Sequence, residues 1–388
     1  MPAGGDLIRL ETIGRRTGEP HDVLVRFITV DRRIVVFPQN RGRQDWVANV
    51  AENGAVRVFG AGGVISGTAT VRPIRGLRDP LLAIFTRKYG EAEARKRYWG
   101  QTVYVEVEVA SQSTAVDYRE LHYADLEAAF DGVAEDYDGH ILGNEMNVWL
   151  RDRSVGLMSR VFSPGEVVLE VGCGTGTETL QLAERGIRVI ASDISGKMLE
   201  VLARKAAKLG LDSMVIPLHA RPYELGERLR GLGFPRIDGA YSTYGAINTE
   251  PGLGPITREL HSAVRPGGKL ILGVWNKYCL YEMVGYTLRM RPRMTVARLR
   301  NPVAVGLSRF CVSSTAYSVE SLSAALAGSF RLERVYGVEI LLPPSNLTRY
   351  LPRGRLLALL KRMELGIEGS YPWNRLGDHF LGVYSRVG

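Results

Sequence analysis

Val167-Val168-Leu169-Glu170-Val171-Gly172-Cys173-Gly174-Thr175-Gly176-Thr177-Glu178 is the stretch whose reading decides the fold. An apolar run feeds a glycine-rich turn, and the turn opens a helix at Thr179-Leu180-Gln181-Leu182-Ala183-Glu184. A second apolar run, Val189-Ile190-Ala191-Ser192, ends on Asp193. Strand, tight turn, helix, strand and acid together open a doubly wound α/β sheet, in which ligands sit outside the carboxyl ends of the strands. Glycines let the backbone bend sharply and come close to a ligand. A carboxylate at the tip of the second strand can accept both hydroxyls of a ribose. The turn is not the dinucleotide form G-x-G-x-x-G, which seats a pyrophosphate on the helix N-terminus. It reads Gly172-x-Gly174-x-Gly176 with Glu170 ahead of it, and an acid there suits a ligand that carries an amino group.

Outward from this core the pattern continues. Ser195-Gly196-Lys197-Met198-Leu199 starts a helix, and Met214–Leu218 reads as a third strand followed by His219-Ala220-Arg221. Ile237–Tyr241 is a fourth strand that ends in Ser242-Thr243-Tyr244-Gly245-Ala246-Ile247-Asn248. Arg265-Pro266-Gly267-Gly268 turns into a fifth, Lys269–Asn276. Phe380–Ser385 is a last strand, expected as the antiparallel edge of the sheet.

The E-V-G-C-G-T-G run, the S-x-x-M-L segment and R-P-G-G-K-L resemble class I S-adenosylmethionine (SAM) methyltransferases. The resemblance implies a Rossmann-like seven-stranded sheet with SAM as cofactor, held by Tyr137, Glu170, Gly172, Gly174, Gly176, Asp193, Met198, Ala220 and Tyr241. Tyr137 lies in Phe130–Asp138, which in this group forms a helix lidding the site. The family usually follows the third strand with G-D-A, whose acid bonds the adenine amine. Here His219-Ala220-Arg221 carries no acid, so a backbone group near Ala220 has to serve. Methyl transfer is an in-line displacement that needs alignment and exclusion of water. A base is required only for an acceptor whose proton has a high pKa. Tyr244, His140, Glu282, His219 and His379 are the candidate bases, and the sequence does not choose among them; Tyr241, Tyr244 and Asn248 are placed to line the reaction centre.

Ahead of this domain, residues 7–110 alternate as six short strands (7–12, 23–30, 34–38, 55–59, 64–71, 102–109) with helices near 45–51 and 76–100. That pattern predicts a small barrel with helices outside it. Thr12-Ile13-Gly14-Arg15-Arg16-Thr17-Gly18, then Gln39-Asn40-Arg41-Gly42-Arg43 and Gln44-Asp45-Trp46-Val47-Ala48-Asn49, resemble the split β-barrel deazaflavin-dependent nitroreductases. The resemblance implies that Arg15, Arg16, Asn40, Arg41 and Trp46 hold a deazaflavin (coenzyme F-420) or FMN, guanidinium forks and loop N–H groups being suited to its anionic tail. The family's Pro and aromatic pair ahead of the Asn are reduced here to Trp46. The other reading makes the barrel a dimerising or structural module whose arginines solvate a surface.

The fold class expected is therefore α/β: a split β-barrel over residues 1–112, then a methyltransferase domain over 113–388 with a substrate-cap insertion at about 277–316. The chain has 388 residues, 45% apolar and 23% charged, as expected for two globular domains. Its three cysteines, Cys173, Cys279 and Cys311, make no C-x-x-C pair, and no metal motif stands out. No secretory signal pattern opens the chain and no apolar run reaches membrane-spanning length, so the cytoplasm is the expected location. The net charge of +9 favours anionic partners. Arg289, Arg291, Arg293, Arg298, Arg300 and Arg309 occur without an intervening acid, interleaved with apolar residues. Such a segment can recruit an anionic substrate, rest on an anionic membrane and admit a lipid, or serve as a plain capping helix. Nucleic acid is not expected, for want of a reader motif. The leading expectation is a methyltransferase of a small or lipid-like molecule fused to a reductase-like barrel, able to form a homodimer. A purely structural barrel, or a non-catalytic SAM- or flavin-binding sensor, is the alternative.

Overall fold

The computed structural model describes residues 7–388 except 31–32, 40–41, 61–62, 75–79, 90, 92–93, 95–100, 110–114 and 300–313; at a few helix and strand positions, His140 among them, it describes the backbone alone. The described residues form two compact units, one ending at Ala129 and one running from Phe130 to Gly388.

The first unit holds β1 (Ile8–Ile13), β2 (Pro20–Val25), β3 (Phe27–Val30), β4 (Arg33–Val36), β5 (Ala55–Gly60), β6 (Gly63–Pro73) and β7 (Val103–Val109). They pair antiparallel in the order β2-β1-β5-β6-β7-β4-β3. Only Arg26 separates β2 from β3, so the two ends of that order are one run of chain. Alternation sets the faces: Val56 and Val58 of β5 are buried while Arg57 points outward and forks onto Glu11 at 2.6 and 2.8 Å. One apolar cluster joins Leu10, Val58 and Val107 to Trp46, Val47 and Val50 of the helix Asp45–Glu52. A second joins Ile28, Val35 and Phe37 to Leu82 and Phe85 of the helix Pro80–Tyr89. The helix expected over 76–100 is seen over Pro80–Tyr89, and most of its remainder lies outside the described residues. Asp125 accepts from Thr29 N at 3.1 Å and Thr29 Oγ1 at 2.9 Å and pairs with Lys88, which satisfies a carboxylate that would otherwise be costly to bury.

The second unit holds β8 (Val167–Val171), β9 (Arg188–Asp193), β10 (Val215–His219), β11 (Ile237–Thr243), β12 (Val264–Trp275), β13 (Phe330–Val338) and β14 (His379–Arg386), in the order β10-β9-β8-β11-β12-β14-β13. The first five are parallel, and β14 runs antiparallel to both β12 and β13. This corrects one expectation. The last strand is antiparallel, but it lies inside the sheet and β13 takes the edge. The reason lies in the side chains. Phe380–Ser385 is buried on both faces, as an interior strand must be. β13 exposes Arg331, Glu333 and Arg334, charges that blunt an edge. Two apolar clusters line the two faces of the sheet. The sequence turns over between β8, β9 and β11, and that switch point is where a ligand crevice forms.

Candidate active site

The turn after β8 is built on backbone that L side chains avoid. Gly172 has φ +75°, and a Cβ there would lie 2.3 Å from the Ala246 Cβ. Gly176 has φ +79°, and a Cβ there would meet Leu202 Cδ1 at 2.1 Å. Gly172 N and Cys173 N both donate to Ser192 O, at 2.8 and 3.0 Å, which ties the turn to β9. Asp193, at the tip of β9, accepts from Gly174 N on Oδ2 and from Ser195 N on Oδ1, each at 2.8 Å. Burial raises its pKa, and these N–H groups work against the rise. The carboxylate is thereby fixed in orientation beside the glycine turn.

Glu170 is buried at the end of β8. Its Oε2 accepts from Tyr241 OH at 2.7 Å and from Thr179 Oγ1. Both bonds fall on the same oxygen, which leaves Oε1 for a ligand. Burial, reinforced by nearby Glu178, pushes the Glu170 pKa up to about 8. A cationic ligand group would reverse that shift. Tyr241 is wholly buried and braces Glu170 from behind, where an open lining position was expected.

The segment ahead of β8 lies over this turn. The helix Tyr137–Leu142 brings Tyr137 next to Gly174, whose added Cβ would sit 3.6 Å from Tyr137 Cε1. The phenol is hydrogen-bonded with Arg151, which itself pairs with buried Glu178. Asp138 is held by Thr175 Oγ1 and by Lys205 Nζ, the latter at 2.7 Å, and Lys205 also reaches Thr175 O at 2.9 Å. Asp131 Oδ1 accepts from Ser195 Oγ at 2.6 Å and Lys197 N at 3.3 Å. Met198 is buried with Ala134 and Val201, flanked by Phe130, Val133 and Tyr137. Ala220 N donates to Asp193 O at 3.2 Å. The expected residues Tyr137, Glu170, Gly172, Gly174, Gly176, Asp193, Met198 and Ala220 thus gather around the glycine turn and the tip of β9. Sequence reasoning missed Asp131, Asp138, Arg151, Glu178 and Lys205. The acid right after the glycine turn was a visible signal for Glu178; the others become neighbours only through the packing of distant helices.

The groups considered for catalysis are spread over several elements. Tyr244 has φ +50°, its hydroxyl donates to Leu150 O at 3.0 Å, and burial pushes its pKa well up, so it is a poor base. Its ring meets His379 edge to face at 5.1 Å. Asn248 braces the backbone, receiving Trp275 N at 3.0 Å and donating to Thr315 O at 2.7 Å. Glu282 is buried against Arg298, 2.8 Å from its Nε, and Arg298 also pairs with Asp378. In this structure Glu282 therefore sits in a buried ion-pair core with Arg298 and Asp378. Arg298, one of the arginines of the 289–309 segment, is buried because two acids draw it inward. His219 Nε2 contacts Ile194 O at 2.9 Å. His140 lies on the helix Tyr137–Leu142, its side chain outside the described residues.

In the first unit, Arg15 donates to Asn49 Oδ1 through its backbone N at 3.1 Å and pairs with Asp45 at 3.1 Å. Trp46 is buried, with its indole N–H on Gln44 Oε1 at 3.1 Å. Arg16 is exposed, while Asn40 and Arg41 lie outside the described residues.

Residues 168–268 match the family described as "Methyltransferase domain". A demethylmenaquinone methyltransferase of Mycobacterium tuberculosis is 28% identical over 188 residues, 46% of this chain and 73% of its own length. One from Symbiobacterium thermophilum is 30% identical over 148 residues, 37% of this chain and 55% of its own length. Among solved structures, a SAM-dependent methyltransferase from Aquifex aeolicus has 18% identity and a TM-score of 0.39, covering 66% of this chain and 98% of that one.

Proposed function

Starting from a C-terminal class I SAM-dependent methyltransferase domain, we propose that the chain methylates a lipid-like acceptor, a prenylated hydroxy-aromatic of the kind named in its relatives. The observation that carries the methyl-donor site is the pairing of Glu170, with Oε1 open, and Asp193 across the Gly172–Gly176 turn; the acceptor class rests on the demethylmenaquinone named for its relatives. Those donor sets fit the methyl donor: Glu170 takes the ammonium, Asp193 the ribose hydroxyls, and Met198 with the backbone near Ala220 borders the adenine. The bound sulfonium supplies the transferable methyl group. Tyr137 closes the methionine end, and the helix Tyr137–Leu142 keeps water out. The helix Gly354–Ile367 exposes Leu356, Leu359, Met363 and Leu365 beside Arg355 and Arg362, a surface suited to a lipid-bearing interface. The test is to incubate the purified chain with labelled SAM and a demethylated prenyl-naphthoquinol, with a water-soluble catechol as comparison. Label appearing in the prenylated acceptor supports the proposal. Transfer to the soluble phenol alone removes the lipid part, and loss of SAM binding in Asp193→Ala is required for the site assignment.

The N-terminal unit reads as a split barrel, because β2 and β3 are one run that joins both ends of the strand order. In the fuller version it carries a deazaflavin or FMN and reduces an intermediate that the second domain methylates; the chain would then dimerise through it and act in the cytoplasm. A specific observation favours the simpler version with a structural barrel: Arg15 is spent on Asp45 and Asn49 of its own unit. Titrating the protein with the deazaflavin coenzyme and with FMN, and repeating with Arg16→Ala, separates the two. Saturable binding weakened by that change makes the barrel a redox domain; no binding makes it scaffold.

A further inference from the structure

Glu339 directly follows β13, and Asp378 and His379 lead into β14. In the ladder Val338 faces His379, and Asp378 N donates to Glu339 O at 3.0 Å. His379 also faces Trp275, so the group lies at the carboxyl end of β12, next to the Tyr244 ring. One ligand atom from each of the three residues lies within 4.8 Å of the others.

Two features go beyond proximity. Glu339 is wholly buried, and neither of its carboxylate oxygens accepts a hydrogen bond from an N–H or hydroxyl group; the Asp378 carboxyl is its polar neighbour. Buried carboxylates are ordinarily paired, hydrogen-bonded or bound to metal. His379 Nδ1 is buried as well. It lies 2.9 Å from Asp378 Oδ2, so the two atoms stand side by side. Ligand atoms about 2.1 Å from one ion and at right angles to each other are about 3 Å apart. The surrounding charge points the same way. Glu282, Glu339, Glu364 and Asp378 are all buried. Arg298 is shared by Glu282 and Asp378, and Glu364 accepts the N–H groups of Ile340 and Leu341 at 3.0 and 3.1 Å. Among the described residues no ion pair reaches Glu339.

We propose that Glu339, Asp378 and His379 bind one divalent metal ion on the acceptor side of the crevice. Two carboxylates with one imidazole suit manganese, ferrous iron or zinc, and three protein ligands leave a position open. Asp378 would offer Oδ2 to the ion while Oδ1 stays with Arg298, and His379 would bind through Nδ1 as the neutral ring. His379 is the partly exposed member, so the ion would enter past its ring. This site stands apart from the methyl-donor assignment, since its ligands are none of the SAM-side residues.

The test uses the full chain stripped with a chelator. Mn2+ is titrated by electron paramagnetic resonance and Co2+ by visible absorption, in the wild type, Glu339→Gln and His379→Ala. The expected result is about one ion per chain in the wild type, with affinity reduced more than tenfold in each variant. Binding of S-adenosylhomocysteine by calorimetry checks that each variant is folded; should Glu339→Gln fail that check, His379→Ala decides. A wild type without stoichiometric binding, or variants that bind as tightly as the wild type, overturns the proposal. So does an infrared band of a protonated carboxyl, lost in Glu339→Gln, that persists at saturating metal, since Glu339 would then be neutralised by a proton.

Discussion

Glu170 takes two hydroxyl protons on one oxygen and keeps the other free, and that asymmetry makes it titrate usefully. Its carboxyl is held near pKa 8 in the ligand-free protein, against about 4.5 when unfolded. The neutral form is the comfortable one, so its contribution to stability is complete below the unfolded value and is lost as pH rises through about 8. An ammonium bound at Oε1 favours the ionised form, so binding releases a proton. SAM affinity should therefore rise from pH 6 towards 8, and calorimetry at pH 7 in buffers of different ionisation heat should show release of close to one proton. In Glu170→Gln both effects should vanish and affinity fall by tenfold or more. A wild-type heat independent of buffer would remove Glu170 from the ammonium site. Gly172 gives a second check at this scale. Gly172→Ala combines a left-handed backbone, worth about 1–2 kcal/mol, with a Cβ 2.3 Å from Ala246, so the melting temperature should fall and SAM binding be lost together.

At the scale of elements, the site is a fixed turn under a latched cover. Asp138 joins the helix Tyr137–Leu142 to Thr175 in the turn and to Lys205 on the helix Gly196–Leu209. Lys205 and Asp138 are each about 30% exposed, so their ion pair adds little stability. Its removal should act on opening. In Asp138→Ala the SAM off-rate measured by stopped flow should rise several-fold, with little change in melting temperature; an unchanged off-rate would mean the helix is held elsewhere. This latch also marks the limit of what sequence could tell. The turn, Asp193 and the helix start at Ser195 were readable because each is a local signal, residue types at fixed spacing. Asp138 and Lys205 lie far apart along the chain and carry no motif. The Glu282–Arg298 pair was illegible for a related reason, since nothing near Glu282 in sequence announces that Arg298 will fold back onto it. Strand order at the far edge was legible in part: the run Phe380-Leu381-Gly382-Val383-Tyr384 reads as a strand, but its continuous burial was the clue that it belongs inside the sheet.

At the scale of the whole chain, the exposed leucines of Gly354–Ile367 carry the prediction for the lipid-like acceptor. Leu356→Asp with Leu359→Asp should abolish co-sedimentation with vesicles containing anionic lipid, while SAM binding stays at the wild-type level. Wild-type protein that stays in the supernatant at low salt would sink the membrane contact. The N-terminal unit shows a different dependence on connectivity. Its sheet order begins and ends on the same stretch, with Arg26 as the only residue between the two strands. A single cut of the backbone at that residue would break no strand pairing among the described residues, since β2 pairs with β1 and β3 with β4. Protein nicked there should still elute as one body on a sizing column and come apart into two fragments only in denaturant.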